Sequence, residues 1–170
     1  MSLPGPVPIP VVFDVNVLVR AIALGESPYR SWPSPPPTSG NPDADCLGVI
    51  NDAAEFALWL SPHILTNTGR VLGDVIGTPK DEIDEYIAIL AEIAHASGGG
   101  LTDPPQAVAD CPDWEDNRIL DLALTVDAFM IVSGDTDLTA MSPWRGRPII
   151  EPTQFARRVD ALRRATRRRR

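Results

Sequence analysis

Four aspartates distant in the chain, Asp14, Asp116, Asp135 and Asp137, occupy positions from which a fold can bring them together. Asp14 closes Val11-Val12-Phe13, a β-branched and aromatic run that reads as a buried strand. Asp135 follows a second apolar run, Phe129 to Ser133, through Gly134, and Asp137 lies two residues further on. Asp116 precedes Ile119 and Ala123 by three and seven residues, which sets it on the inward stripe of a helix, in the first turn. Carboxylates gathered without cationic partners repel strongly in a low dielectric and raise one another's pKa values, so such a group needs a compensating cation. No His stands near them in sequence and no Cys adjoins them, and an all-oxygen donor set suits Mg2+ or Mn2+, which retain waters for catalysis. Singly, Asp135 and Asp137 would serve equally well in a turn, and Asp116 at a helix end. Placed together, they point to a metal site.

Elements able to position these acids are legible around them. Pro6, Pro8 and Pro10 lead extended into the first strand, and Val15 to Leu24 continues with Val17, Leu18, Ala21 and Ile22 at helical spacing. Residues 25–45 are dense in Pro, Ser and Gly, and read as an inserted surface loop. A helix over about 44–54 precedes the apolar strand Phe56 to Leu60. Ser61-Pro62 then caps a helix whose stripe is Ile64, Leu65, Thr68, Val71, Leu72, Val75 and Ile76. Another opens at Thr78-Pro79, carries Ile83, Ile87, Leu90 and Ala94 inward, and ends at Ser97-Gly98-Gly99-Gly100. Its acids Asp81, Glu82, Asp84 and Glu85 suit the positive end of the helix dipole.

After a Pro-containing connection, a helix over 115–127 leads to the strand Phe129 to Ser133, expected to be fully buried. Pro148-Ile149-Ile150 reads as a short last strand, and an amphipathic helix closes the chain from Glu151. Strands alternating with helices imply a three-layer α/β/α sandwich with a mainly parallel sheet, because parallel neighbours need crossover connections. Sites in such sheets form beyond the carboxyl ends of the strands, where Asp14, Asp135 and Asp137 fall.

At 170 residues the chain suits one domain, expected over 1–156 and followed by an Arg-rich tail, 157–170. The net charge of −8 hides an asymmetry: the tail holds eight Arg and one Asp, leaving the rest with seven basic and 22 acidic residues. An acidic body argues against gripping nucleic acid over a broad basic face, but is compatible with metal ions acting at a single phosphate. Cys46 and Cys111 lack metal-ligand or framework spacing, His63 and His95 complete no zinc pattern, and buried free thiols are the expectation. With no leader or spanning segment evident, the reading is a soluble cytoplasmic protein.

Three segments in order resemble the PIN domain family, in particular its branch of bacterial toxin–antitoxin toxins. They are Val11 to Leu18, Asp113 to Leu120 and Ile131 to Leu138, within an overall resemblance from Val11 to about Phe155. The resemblance implies a Mg2+- or Mn2+-dependent ribonuclease that hydrolyses RNA phosphodiesters with a metal-activated water. It implies Asp14, Asp116 and Asp135 as metal ligands, with Asp137 supporting a second ion or orienting water. Asn16, Asn117 and Ser133 become supporting hydrogen-bond residues, and a cognate antitoxin and a homodimer become expected partners. The family usually carries a Glu in the helix after the second strand. Here the best match is the uncharged Asn67, with Thr68 next and Asp74 two turns on.

Two rival readings differ in class. A degenerate module of the same family would bind RNA or protein without cutting. A haloacid-dehalogenase-like phosphatase also places an Asp after its first strand, but wants a second Asp where Asn16 stands, and Asn cannot act as general acid. The single lysine, Lys80, reads as a helix-start residue. For the Arg-rich tail, contact with RNA phosphates or with an acidic partner competes with a plain solvated end.

Overall fold

Apolar strands and amphipathic helices alternate from the first residues that the computed structural model describes, which are 7–23, 41–52, 55–158 and 168. Most of the expected Pro-rich loop, and the Arg-rich tail beyond residue 158 apart from Arg168, lie outside these described residues. The elements are β1 (Ile9–Phe13), α1 (Val15–Ala23), α2 (Pro42–Asp52), β2 (Phe56–Leu60) and α3 (Pro62–Val71). They continue with α4 (Lys80–Ala96), β3 (Gly100–Leu101), α5 (Trp114–Thr125), β4 (Met130–Val132), α6 (Thr136–Thr139) and β5 (Ile149–Ile150). A last helical stretch covers 152–158.

The five strands form one sheet in the order β3-β2-β1-β4-β5, with every neighbouring pair parallel. The expected mainly parallel sheet flanked by helices is therefore the observed one. The chain steps outward from β1 to β3, then returns across the sheet to β4 and β5. The gap between β1 and β4 is thus a topological switch point, where the flanking connections leave in opposite directions and open a crevice. The strands run hydrophobic on both faces: Val11, Val12, Phe13, Leu58, Leu60, Ile131 and Val132 are all fully buried.

Phe155 of the last helical stretch packs edge-on against Phe13 and Phe56, with ring centroids 5.5 and 5.1 Å away. Tyr86 of α4 donates a 2.6 Å hydrogen bond to the Leu18 carbonyl of α1. Both cysteines are buried free thiols, as expected.

Four local features depart from the sequence reading. The helix capped by Ser61 does not continue as one α-helix, because Leu72–Ile76 forms a π-helical turn before Gly77 at φ 82°. The added residue per turn rotates the inward stripe away, and Val75 and Ile76 are exposed rather than core. Strand β3 was not anticipated: it is two residues in a glycine run. That run allows close approach, since a Cβ on Gly99 would collide with the Leu58 carbonyl of β2. Phe129, expected inside the buried strand, precedes β4 and is half exposed. Residues 136–139 form the short helix α6, to which the sequence reading assigns no element.

Candidate metal centre

The register of the central strands brings the first two acids together. Phe13 pairs with Val132, so the next residues along, Asp14 and Ser133, leave the sheet side by side. The Asp14 amide donates to the Val132 carbonyl at 2.9 Å, and the Ser133 hydroxyl donates to Asp14 Oδ2 at 2.7 Å. Asn16 ties the same two strand ends a second time: its Nδ2 donates to Asp14 Oδ2 at 3.0 Å, and its Oδ1 accepts from the Gly134 amide at 3.0 Å. The Asp135 amide in turn donates to Ser133 Oγ at 3.0 Å, which fixes the bend after β4. Asp135 then caps α6 by accepting from the Asp137 amide at 2.9 Å.

Asp116 arrives from the other side of the crevice, on the first turn of α5. Asp113 caps that helix by accepting from the Glu115 amide at 2.8 Å. Behind it, three α5 side chains hold the preceding connection in place. The Asn117 amide group brackets the Cys111 backbone, accepting at 2.8 Å and donating at 2.9 Å. Asp121 accepts from the Ala107 and Val108 amides at 2.9 and 2.7 Å, and pairs with buried Arg118 at 3.2 Å. Arg118 also donates to the Pro104 carbonyl at 3.2 Å.

One carboxylate oxygen from each of Asp14, Asp116 and Asp135 lies within 4.8 Å of the others. They line a cavity of about 480 Å3 that also takes in Asn16, Arg20, His63, Asn67, Asp113 and Glu115, with an apolar wall that includes Val19, Val71 and Ile119. Desolvation is the first cause of the raised Asp116 pKa, followed by the charges of Asp135, Asp113, Asp14 and Asp137, and the carboxyl is pushed up to about 7. Burial also raises Asp14, against the opposing hydrogen bonds from Ser133, Val15 and Asn16. Among the described residues, none of the three acids is in a salt bridge, and Asp116 accepts no hydrogen bond. Carboxylates crowded into a desolvated cavity and engaged in no salt bridge among the described residues are the donor set that a divalent cation would satisfy.

Other expected site residues divide. Asn16 and Ser133 both donate to Asp14, whereas Asn117 is engaged by the Cys111 backbone and holds the connection into α5. Asp137 is exposed and stands outside the group of three. Asn67 lines the cavity, with its amide nitrogen 3.1 Å from His63 Nε2 and its oxygen accepting from Arg70 Nε at 3.3 Å. Thr68 is fully buried and donates to the Ile64 carbonyl at 2.7 Å, so it belongs to the helix itself. Asp74 is exposed in the π-helical turn and does not line the cavity.

His63, Asp113, Glu115 and Arg20 were not singled out from the sequence. The four-residue spacing of His63 and Asn67, which sets both on one helix face, was the available signal. Burial, then the Arg118 charge, lowers the His63 pKa, favouring a neutral ring.

A family model described as PIN domain matches residues 10–137, about three quarters of the chain. No curated protein matches it.

Proposed function

The chain belongs to the PIN domain family, whose members are generally metal-dependent nucleases, and on that premise we propose that it is a divalent-metal-dependent endoribonuclease. The observation that carries the reading is the convergence of Asp14, Asp116 and Asp135, within 4.8 Å of one another in a cavity at the switch point of the sheet. Asp14, Asp116 and Asp135 would hold Mg2+ or Mn2+. A cation bound there would supply Lewis acidity to a scissile phosphodiester and lower the pKa of a water, so that hydroxide is available to attack at neutral pH.

The chain's own groups do the rest. Ser133 and Asn16 fix Asp14 Oδ2 so that the carboxylate cannot swing away, the outer-layer support on which metal sites depend. Asp116, whose carboxyl is pushed up to about 7, keeps part of its proton at physiological pH and would release it to a binding cation. Asp137, exposed at the start of α6, is assigned to ordering water on the open side. Arg20 on the cavity wall offers positive charge to an incoming phosphate.

The proposed physiological role is that of the toxin of a toxin–antitoxin pair, with an antitoxin protein as partner and a homodimer as assembly. This role rests on the likeness of the three acidic segments to that branch of the family. No helix among the described residues is long and apolar enough to cross a membrane. Incubation of the purified protein with RNA and Mg2+ or Mn2+ tests the reading: metal-dependent cleavage that Asp135→Asn abolishes is expected, and equal cleavage by both proteins sinks it.

A second reading has its own observation. Asn67 stands where the family usually has Glu, and its side chain is already engaged by His63 and Arg70. A site with one charge fewer could bind RNA without cutting it, and Mn2+ titration bears on the choice: no metal uptake by a folded protein favours the non-cutting module.

A further inference from the structure

Trp114 is the first residue of α5, two positions before Asp116, and it is 53 % exposed. Nothing in the start of this helix calls for an indole, because Asp113 supplies the cap and the first helical position commonly takes proline or a small residue. Another tryptophan of the same chain shows what a structural role looks like. Trp144 is 4 % exposed, donates from Nε1 to Asp110 at 2.8 Å and lies beneath the Arg145 guanidinium. Trp114 instead keeps half its surface open and does not itself line the acidic cavity, although its neighbours in sequence, Asp113 and Glu115, both do.

The ring is nonetheless held. His63, on the cavity wall, meets it nearly perpendicular, at 84° with centroids 5.1 Å apart. His63 is itself fixed by Asn67 one turn along α3. A large aromatic side chain pre-positioned but half uncovered has apolar surface still to bury, and the neighbouring chemistry says against what. An acidic chain repels a phosphate backbone, so affinity for RNA needs a contribution that does not depend on charge. Base–aromatic stacking supplies one and is available only from unpaired bases.

We infer that the Trp114 indole is the stacking platform for one nucleobase of single-stranded RNA, next to the phosphate that enters the Asp14, Asp116 and Asp135 cavity. This rests on the nuclease reading above. Trp114 thereby selects unpaired substrate, because a base in a duplex cannot leave its neighbours to reach the ring without cost.

The test uses the full chain and a short single-stranded RNA carrying 2-aminopurine at one position at a time, with Ca2+ replacing the active metal to slow turnover. Wild type should quench the probe at one position, and Trp114→Ala should lose that quench and bind about 5- to 150-fold more weakly with an unchanged salt slope. Trp114→Phe, which keeps a ring, should retain most of both. Removing the base at the quenched position should weaken wild-type binding by a similar factor and leave Trp114→Ala indifferent, which tests the idea even if the alanine variant folds poorly. Unchanged binding by Trp114→Ala, or no position-specific quench in a wild type that cuts RNA, overturns the inference alone. A change of oligomeric state in the variant assigns the indole to a protein interface and overturns it as well. Failure of the wild type to bind or cut RNA at all overturns the nuclease reading and this inference together.

Discussion

Ser133 and Asp14, 119 residues apart in the chain, meet through a 2.7 Å hydrogen bond where β4 and β1 leave the sheet. Ser133 is fully buried and also accepts from the Asp135 amide, so a single hydroxyl orders two of the three clustered acids.

Ser133→Ala should therefore weaken metal binding without removing a ligand. Loss of an outer-layer hydrogen bond of this kind costs about 10- to 100-fold in affinity. Calorimetric titration with Mn2+ measures it, and affinity equal to wild type would show that Asp14 needs no such anchor.

The metal-free protein should lose stability as the solution turns from acid to neutral. Asp116 titrates at about 7 in the fold against 3.8 ordinarily, so between those values the folded protein holds more protons than the unfolded chain and stability falls with rising pH. Asp14, raised chiefly by burial, acts in the same direction. Thermal melting in EDTA should show a falling Tm from about pH 4 to about pH 7, flattened in Asp116→Asn and reversed by saturating Mn2+. A Tm independent of pH in this window would contradict the crowded-carboxylate account.

Asn67→Glu returns a carboxylate to the cavity wall. Mn2+ binding should tighten on the order of tenfold, since affinity follows the charge of the ligand set, while the metal-free variant melts lower because a further negative charge joins the cluster. Weaker metal binding in the variant would place this position outside the metal's reach.

Asp121→Ala should damage the site from a distance. It leaves Arg118 without its buried carboxylate partner and frees the Ala107 and Val108 amides, a loss of about 3–5 kcal/mol for breaking a buried pair. Urea unfolding reads the stability, and hydrogen exchange should rise at residues 107 and 108. Unchanged exchange there would mean that the connection into α5 is held by other contacts.

The sequence was most legible where one residue type answered one physical demand. The apolar runs Val11 to Phe13 and Phe129 to Ser133 read as buried strands, the second observed as Met130–Val132, and acids placed just after them fall at the carboxyl edge of a parallel sheet. The Ser61 cap was equally direct, with its hydroxyl accepting from the Ile64 amide at 3.2 Å. Elements set by tertiary contact were not legible. Strand β3 exists because a glycine run can lie against the Leu58 carbonyl, a condition that no local pattern encodes. The π-helical turn that exposes Val75 and Ile76 breaks a periodicity which the sequence itself continues. In the candidate site, Asp14, Asp116 and Asp135 were found from strand ends and helix phase, whereas Asp137 looked equivalent by spacing. It differs because Asp135 caps α6 and the residue after next is carried into solvent. The partner of Asn117 was not legible for a related reason: its polar group faces the loop before α5, and nothing in its neighbours shows which way that loop folds back.

Crystals grown with Mn2+ and measured at a wavelength where manganese scatters anomalously would test the central claim most directly. The account predicts a peak in contact with carboxylate oxygens of Asp14, Asp116 and Asp135, absent in crystals of Asp135→Asn. Manganese bound elsewhere, with these three acids touching only water, would contradict it.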